Sequence, residues 1–128
     1  MARRTMVSQR RHDAMVQRIA DGLRDGGFDT VRADQVNGYA PPEEIGGRVP
    51  DVTASGRQEY IYEVETEESL ELDETERQWQ AFAHYARHND AQFVIVVPKG
   101  LGIKAKARKN FHQLRAEVRE EDFPPLSG

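Results

Sequence analysis

The chain has 128 residues, 38% of them hydrophobic and 31% charged, which suffices for one domain with a modest core and is too little for two. A formal net charge of −4 announces no overall polybasic character, and with no cysteine there is neither a disulfide framework nor a thiolate metal site. No apolar run reaches membrane-spanning length, and the arginine-bearing first residues lack the apolar stretch of a secretory signal, so a cytoplasmic protein with no membrane partner is expected.

In chain order, residues 1–7 read as a basic N-terminal arm. Residues 8–24 are predicted as a helix, because Met15, Ile19 and Leu23 recur every four residues beside Val16 and Ala20, and Gly26-Gly27 terminates the pattern. His12 falls on that apolar side and is read as a hydrogen-bonded core residue rather than a ligand. Asp13 lies at the edge of the face and reads as a solvated aspartate. Residues 28–34 form the first expected strand, with Val31 and Ala33 facing opposite to Thr30 and Arg32. Residues 35–47 contain N-G, P-P and G-G without periodicity. A long loop is expected there, whose Tyr39, Pro41 and Pro42 either cover the following strands or meet a partner.

Residues 49–66, V-P-D-V-T-A-S-G-R-Q-E-Y-I-Y-E-V-E-T, read as two strands joined by a turn at Ser55, Gly56 and Arg57. Alternation puts Ile61, Glu63 and Glu65 on one face and Tyr60, Tyr62, Val64 and Thr66 on the other, while Val49, Asp51 and Thr53 share a face of the first strand. Glu63 and Glu65 on their own fit the solvated face of an amphipathic strand. Paired with Asp51 across the turn they form a carboxylate cluster, which is costly unless a cation compensates it. Hard divalent cations take such oxygen ligands, completing their shell with water and phosphate.

An acid-rich connection at 67–72 leads to Asp73 and Glu76, which have the spacing of a capping box. The helix that follows is expected to run to residue 88 or 89, with Trp79, Phe82, Ala83 and Ala86 as its buried stripe. Gln78 and Tyr85 lie on the margin of that stripe. His84 and His88 have metal-clamping spacing but project away from it with no acid following, and are read as surface histidines. Residues 92–98, Q-F-V-I-V-V-P, are β-branched without alternation, the mark of a central parallel strand covered on both faces. A last helix is expected over 103–114 with Ile103, Ala107, Phe111 and Leu114 inward, and the polar residues 115–128 are expected to fray.

Pro50-Asp51, the turn, and then Glu63-Val64-Glu65, set in this element order, resemble the PD-(D/E)XK nuclease superfamily. The resemblance covers about 8–114. It implies an α/β fold with an αβββαβ restriction-endonuclease-like core, a mixed central sheet flanked by helices, as a single domain between the arm and a C-terminal tail at 115–128. It further implies that Asp51, Glu63 and the backbone carbonyl of Val64 ligate Mg2+ or Mn2+. The family's usual lysine is replaced here by Glu65. Some active members carry glutamate at that place, and members that have lost catalysis also lose the lysine. Asp13 is the positional candidate for the acid that the family can carry on its first helix. Gln78 is the candidate for the glutamine that some lineages carry on the helix after the motif strand, although its seven-residue spacing to Tyr85 departs from their Q-x-x-x-Y pattern.

Charge is unevenly spread. Residues 99–115 carry Lys99, Lys104, Lys106, Arg108, Lys109 and Arg115 without an acid, residues 3–18 carry Arg3, Arg4, Arg10, Arg11 and Arg18, and residues 63–76 are densely acidic. Lys99, Lys104, Lys106, Arg108 and Lys109 either contact a phosphate backbone or form the solvated face of a helix. The leading expectation is a metal-dependent nuclease that hydrolyses the phosphodiester bonds of DNA, with Asp51, Glu63 and Glu65 catalytic and Glu65 taking the water's proton or sharing a second metal. The alternative is a catalytically inactive member of the same fold that binds nucleic acid or protein. A third reading is a homodimer module using the Tyr39 loop and an exposed Tyr60/Tyr62 face.

Overall fold

Two hydrophobic periods meet in one sheet. In the computed structural model, which describes residues 5–124, helix α1 (Met6–Asp25) precedes strands β1 (Thr30–Ala33), β2 (Val52–Ser55) and β3 (Glu59–Val64). A 3-10 turn (Ser69–Glu71), α2 (Asp73–Asn89), β4 (Ala91–Pro98), α3 (Gly102–Phe111) and β5 (Glu117–Glu121) follow. The strands lie in the order β1-β2-β3-β4-β5, the first three antiparallel and the last three parallel. The protein is thus an α/β protein of three helices and a mixed five-stranded sheet packed against helices.

Each face of the sheet carries its own core. Met15, Val16 and Ala20 of α1 pack on Val52, Tyr62, Val64, Val94 and Val96. Trp79, Phe82, Ala83 and Ala86 of α2 pack on Ile61, Phe93, Ile95 and Val97. Strand β4 is buried continuously from Phe93 to Pro98, as its unalternating run requires. The helix periodicities of α1 and α2 and the interior, parallel-paired position of β4 match the sequence expectations.

The C-terminal third differs. Residues 115–124 are no tail: β5 adds to β4 in parallel, and Phe123 is buried in the α1-side core. Arg18 Nη1 donates to the Asp122 carbonyl at 2.6 Å, and Arg11 stacks 5.7 Å above the Phe123 ring, strapping this end to α1. Polar composition misled here, because an edge strand beside a buried one needs few apolar side chains. Helix α3 is also rotated from expectation. Ala105 is buried against the core, Arg108 faces inward, and Ile103 and Phe111 are 85% and 82% exposed. Glu120 of β5 sets this rotation, its Oε2 accepting the N–H groups of Gly102 (2.7 Å) and Gly100 (3.2 Å). A Cβ on Gly102 would lie 2.5 Å from that oxygen, so glycine is what lets the carboxylate approach.

Three smaller expectations are corrected. Leu72 is the N-cap of α2 and makes no side-chain cap bond, so Asp73 and Glu76 form no capping box; Thr75 Oγ1 instead donates to the Ser69 carbonyl at 2.5 Å. Tyr62 is 5% exposed and Tyr60 packs beside it at 6.1 Å, so the tyrosine face proposed for dimerisation lies inside the α1-side core. Tyr39 closes its loop onto α1 by donating to Asp21 Oδ1 at 2.5 Å. Met6 belongs to α1 rather than to an arm, while Arg3 and Arg4 lie outside the described residues.

Two predictions follow from this packing. Phe123→Ala should cost about 3 kcal/mol in a denaturant melt, whereas Ile103→Ala and Phe111→Ala should each stay within about 0.5 kcal/mol. The Tyr39 hydroxyl, followed by the Gln17 amide, holds the Asp21 carboxyl below its ordinary range. That contribution is present at neutral pH and is lost as pH falls through the depressed value, so Tyr39→Phe should lower the Tm at pH 7 and the gap should close in acid below the ordinary aspartate range.

Candidate functional site

Strands β2 and β3 pair in a register that sets Val52 opposite Tyr62, and this brings Asp51 alongside Glu63. Two hydrogen bonds from backbone amides to these carboxylates cross between the strands. The Asp51 N–H donates to Glu63 Oε1 at 2.9 Å, and the Val64 N–H donates to Asp51 Oδ2 at 2.7 Å. The end of β1 joins them, the Asp34 N–H donating to the Asp51 carbonyl at 2.9 Å. Helix α1 contributes from the other side. His12 Nε2 lies 3.1 Å from Asp51 Oδ1, and its Nδ1 lies 2.9 Å from Asp13 Oδ1, which also accepts from Gln9 Nε2 at 2.8 Å. His12 is 6% exposed. It is a buried residue hydrogen-bonded through Nδ1 to Asp13, as expected, and its Nε2 faces Asp51.

These groups border a cavity of about 450 Å³. Its walls carry five carboxylates, Asp13, Asp34, Asp51, Glu63 and Glu74, together with Gln78 and Arg48. The concentration of negative charge is visible in Asp34, whose pKa is raised first by burial and next by the charge of Asp51, with His12 opposing. Asp13 and Gln78, the two accessory candidates, both line this cavity. Asp34, His12 and Arg48 were not singled out for it from the sequence. The alignment of β1 with the Asp51 end of β2 depends on pairing, which no local pattern reveals.

Glu65 stands apart. It is fully buried and is not among the residues lining the cavity. Ser69 Oγ donates to its Oε1 at 2.6 Å and the Trp79 indole N–H to its Oε2 at 3.0 Å. The Ser69 hydroxyl also accepts the Thr66 N–H at 2.9 Å. The expectation that Asp51, Glu63 and Glu65 share one pocket is therefore corrected: the first two meet at the cavity, and the third holds the connection between β3 and α2. A signal was present in the sequence, since a tryptophan at the centre of a buried stripe needs an acceptor for its N–H.

The basic residues of 99–109 are largely engaged within the fold. Arg108 donates to the carbonyls of Leu70 and, at 2.6 Å, Leu72, and lies over the Trp79 ring at 6.0 Å. Lys104 pairs with Glu71, and Lys99 with Asp122 at 2.9 Å. Among the described residues Lys106 and Lys109 make no ion pair, and Lys106 is fully on the exposed side of α3. His84 and His88 are an exposed pair of rings 4.2 Å apart on another surface, in keeping with their reading as surface histidines.

Among the described residues no set of three or more histidine, aspartate or glutamate side chains is already gathered to hold a metal ion. Asp51 and Glu63 still suit a hard cation chemically: both are carboxylates at a polar cavity, each with one oxygen fixed by an amide. Comparison with protein-family models, with curated proteins and with solved structures finds no match to this chain.

Glu65→Gln turns an NH2 group toward one of the two donors and should destabilise the fold by about 1–3 kcal/mol, read as a lower denaturation midpoint. Glu65→Lys should be worse, since it buries an unpaired cation against donors.

Proposed function

We propose that this chain is a divalent-metal-dependent nuclease that hydrolyses phosphodiester bonds of DNA on an αβββαβ restriction-endonuclease-like core. The observation that carries the reading is the meeting of Asp51 and Glu63 at a cavity otherwise crowded with carboxylates, where Glu63 accepts the Asp51 N–H and Asp51 accepts the Val64 N–H. The order α1-β1-β2-β3-α2-β4, with β3 and β4 parallel, supports the fold part of it. Asp51, Glu63 and the Val64 carbonyl would hold Mg2+ or Mn2+, which when bound polarises the phosphate and acidifies a water. His12, fixed by Asp13, orients Asp51 as outer groups orient metal ligands elsewhere. Gln9 in turn holds Asp13. Glu65 has a structural part in this scheme, and the catalytic role expected for it gives way to its bonds with Ser69 and Trp79.

A second reading is favoured by that same residue. A glutamate in place of the family's lysine, turned inward and fully buried, fits an inactive member of the fold that binds nucleic acid or a protein.

Calorimetric titration of Mn2+ together with cleavage of plasmid, single-stranded and branched DNA separates the two. The nuclease reading expects Mn2+ uptake and cleavage in the wild type, both abolished in Asp51→Ala and Glu63→Ala. His12→Ala should weaken metal binding by about 10–100-fold. Uptake of Mn2+ without cutting of any substrate supports the inactive module, and no uptake by the wild type overturns the nuclease.

A further inference from the structure

The cavity poses an electrostatic difficulty for any anionic substrate, because five carboxylates face it. Among the described residues lining it, Arg48 is the one lysine or arginine. We propose that Arg48 is the phosphate-binding residue of this cavity, exchanging its resting partner Glu74 for an oxyanion of a nucleic-acid backbone. The inference rests on the nuclease reading and names the group that would hold that substrate.

The backbone of Arg48 is tightly set. Ile45 and Arg48 exchange both backbone hydrogen bonds, at 2.7 and 3.1 Å. The two residues between them, Gly46 and Gly47, have φ of 60° and 81°, in the region that favours glycine. The turn sits on α2, where a Cβ on Gly46 would lie 3.3 Å from the Ala81 Cβ.

The side chain, by contrast, is loosely held. Its Nε lies 3.5 Å from Glu74 Oε1 and is shielded from solvent, yet makes no hydrogen bond. Its Nη1 reaches the Gly46 carbonyl at 3.3 Å. A guanidinium has five N–H donors in a planar fork, and most of this one's capacity is unspent. A phosphate oxyanion accepts two such donors at once and is a better partner than a carboxylate that meets the guanidinium at the 3.5 Å limit of a hydrogen bond. Glu74 survives the exchange, since Arg77 Nη2 lies 3.3 Å from its other oxygen. A rigid turn thus carries a cation whose present partner is replaceable, beside the acids proposed to hold the metal.

Anisotropy of a labelled 12-nucleotide single strand and of its duplex tests this, with Ca2+ and separately with a chelator, for the wild type, Arg48→Ala, Arg48→Lys and Glu74→Gln. Mn2+ calorimetry and thermal melts accompany each variant. Arg48→Ala should weaken binding about tenfold. It should also reduce the slope of log K against log salt by about one, equally for different base sequences. Arg48→Lys should recover part of the affinity, Glu74→Gln should tighten binding, and Mn2+ uptake should persist in all three. Equal affinity and salt slope in wild type and Arg48→Ala, or no binding by the wild type in either medium, overturns the assignment. Should the wild type take up no Mn2+, the nuclease reading fails by itself, and the chelator arm alone upholds or overturns Arg48. If Arg48→Ala melts early, Glu74→Gln decides: tighter binding upholds the exchange, and unchanged or weaker binding refutes it.

Discussion

A carboxylate sealed from water must be given donors, and the packing around Glu65 is organised by that demand. The Ser69 hydroxyl and the Trp79 indole supply them. To do so, the chain leaving β3 bends into the 3-10 turn, where Ser69 also accepts the Thr66 amide, and α2 docks with its tryptophan inward. The carbonyls of Leu70 and Leu72 in that connection accept from Arg108 of α3, the Leu72 carbonyl also accepting the Thr75 N–H. One buried acid thereby links a strand, a turn and a helix, and the hydrogen bonds it accepts from Ser69 and Trp79 offset the cost of burying it.

Two positions earlier on the same strand face, the same residue type has a different surrounding. Glu63 is met by the Asp51 amide, not by a tryptophan, and opens on a polar cavity. The contrast shows how an alternating strand can assign one acid to the scaffold and the next to the site. The difference comes from what packs around each: Trp79 of α2 meets Glu65, whereas Glu63 borders the cavity together with Gly46, Gly47, Glu74 and Gln78. His12 and Asp13, arriving on α1 from the opposite face, complete the surround of Asp51.

Where periodicity carried the information, the sequence was legible. The apolar stripes of α1 and α2, the turn between β2 and β3, and the covered run of β4 are local signals, and each appears in the structure at close to its expected span. The cavity was half legible. Asp51, Glu63, Asp13 and Gln78 come together there, but Asp34, His12 and Arg48 arrive through strand pairing and loop closure, which link residues far apart in the chain. Glu65 misled because strand alternation tells which face a side chain takes and not what covers that face. Helix α3 misled because its most apolar residues, Ile103 and Phe111, were assumed to point inward, while Glu120 and Arg108 hold the opposite rotation through polar bonds.

The two margins of the sheet differ from its centre in a way that bears on solubility. Strand β5 carries four charged residues in a run of five, Glu117 and Glu120 exposed and Arg119 and Glu121 half-buried, and β1 is only four residues long, with the Ala33 amide already satisfied by Ala40 of the neighbouring loop. Charge on one rim and brevity with self-capping on the other discourage a foreign strand from extending the ladder. Fibrillar stacking through backbone pairing at these edges is accordingly disfavoured.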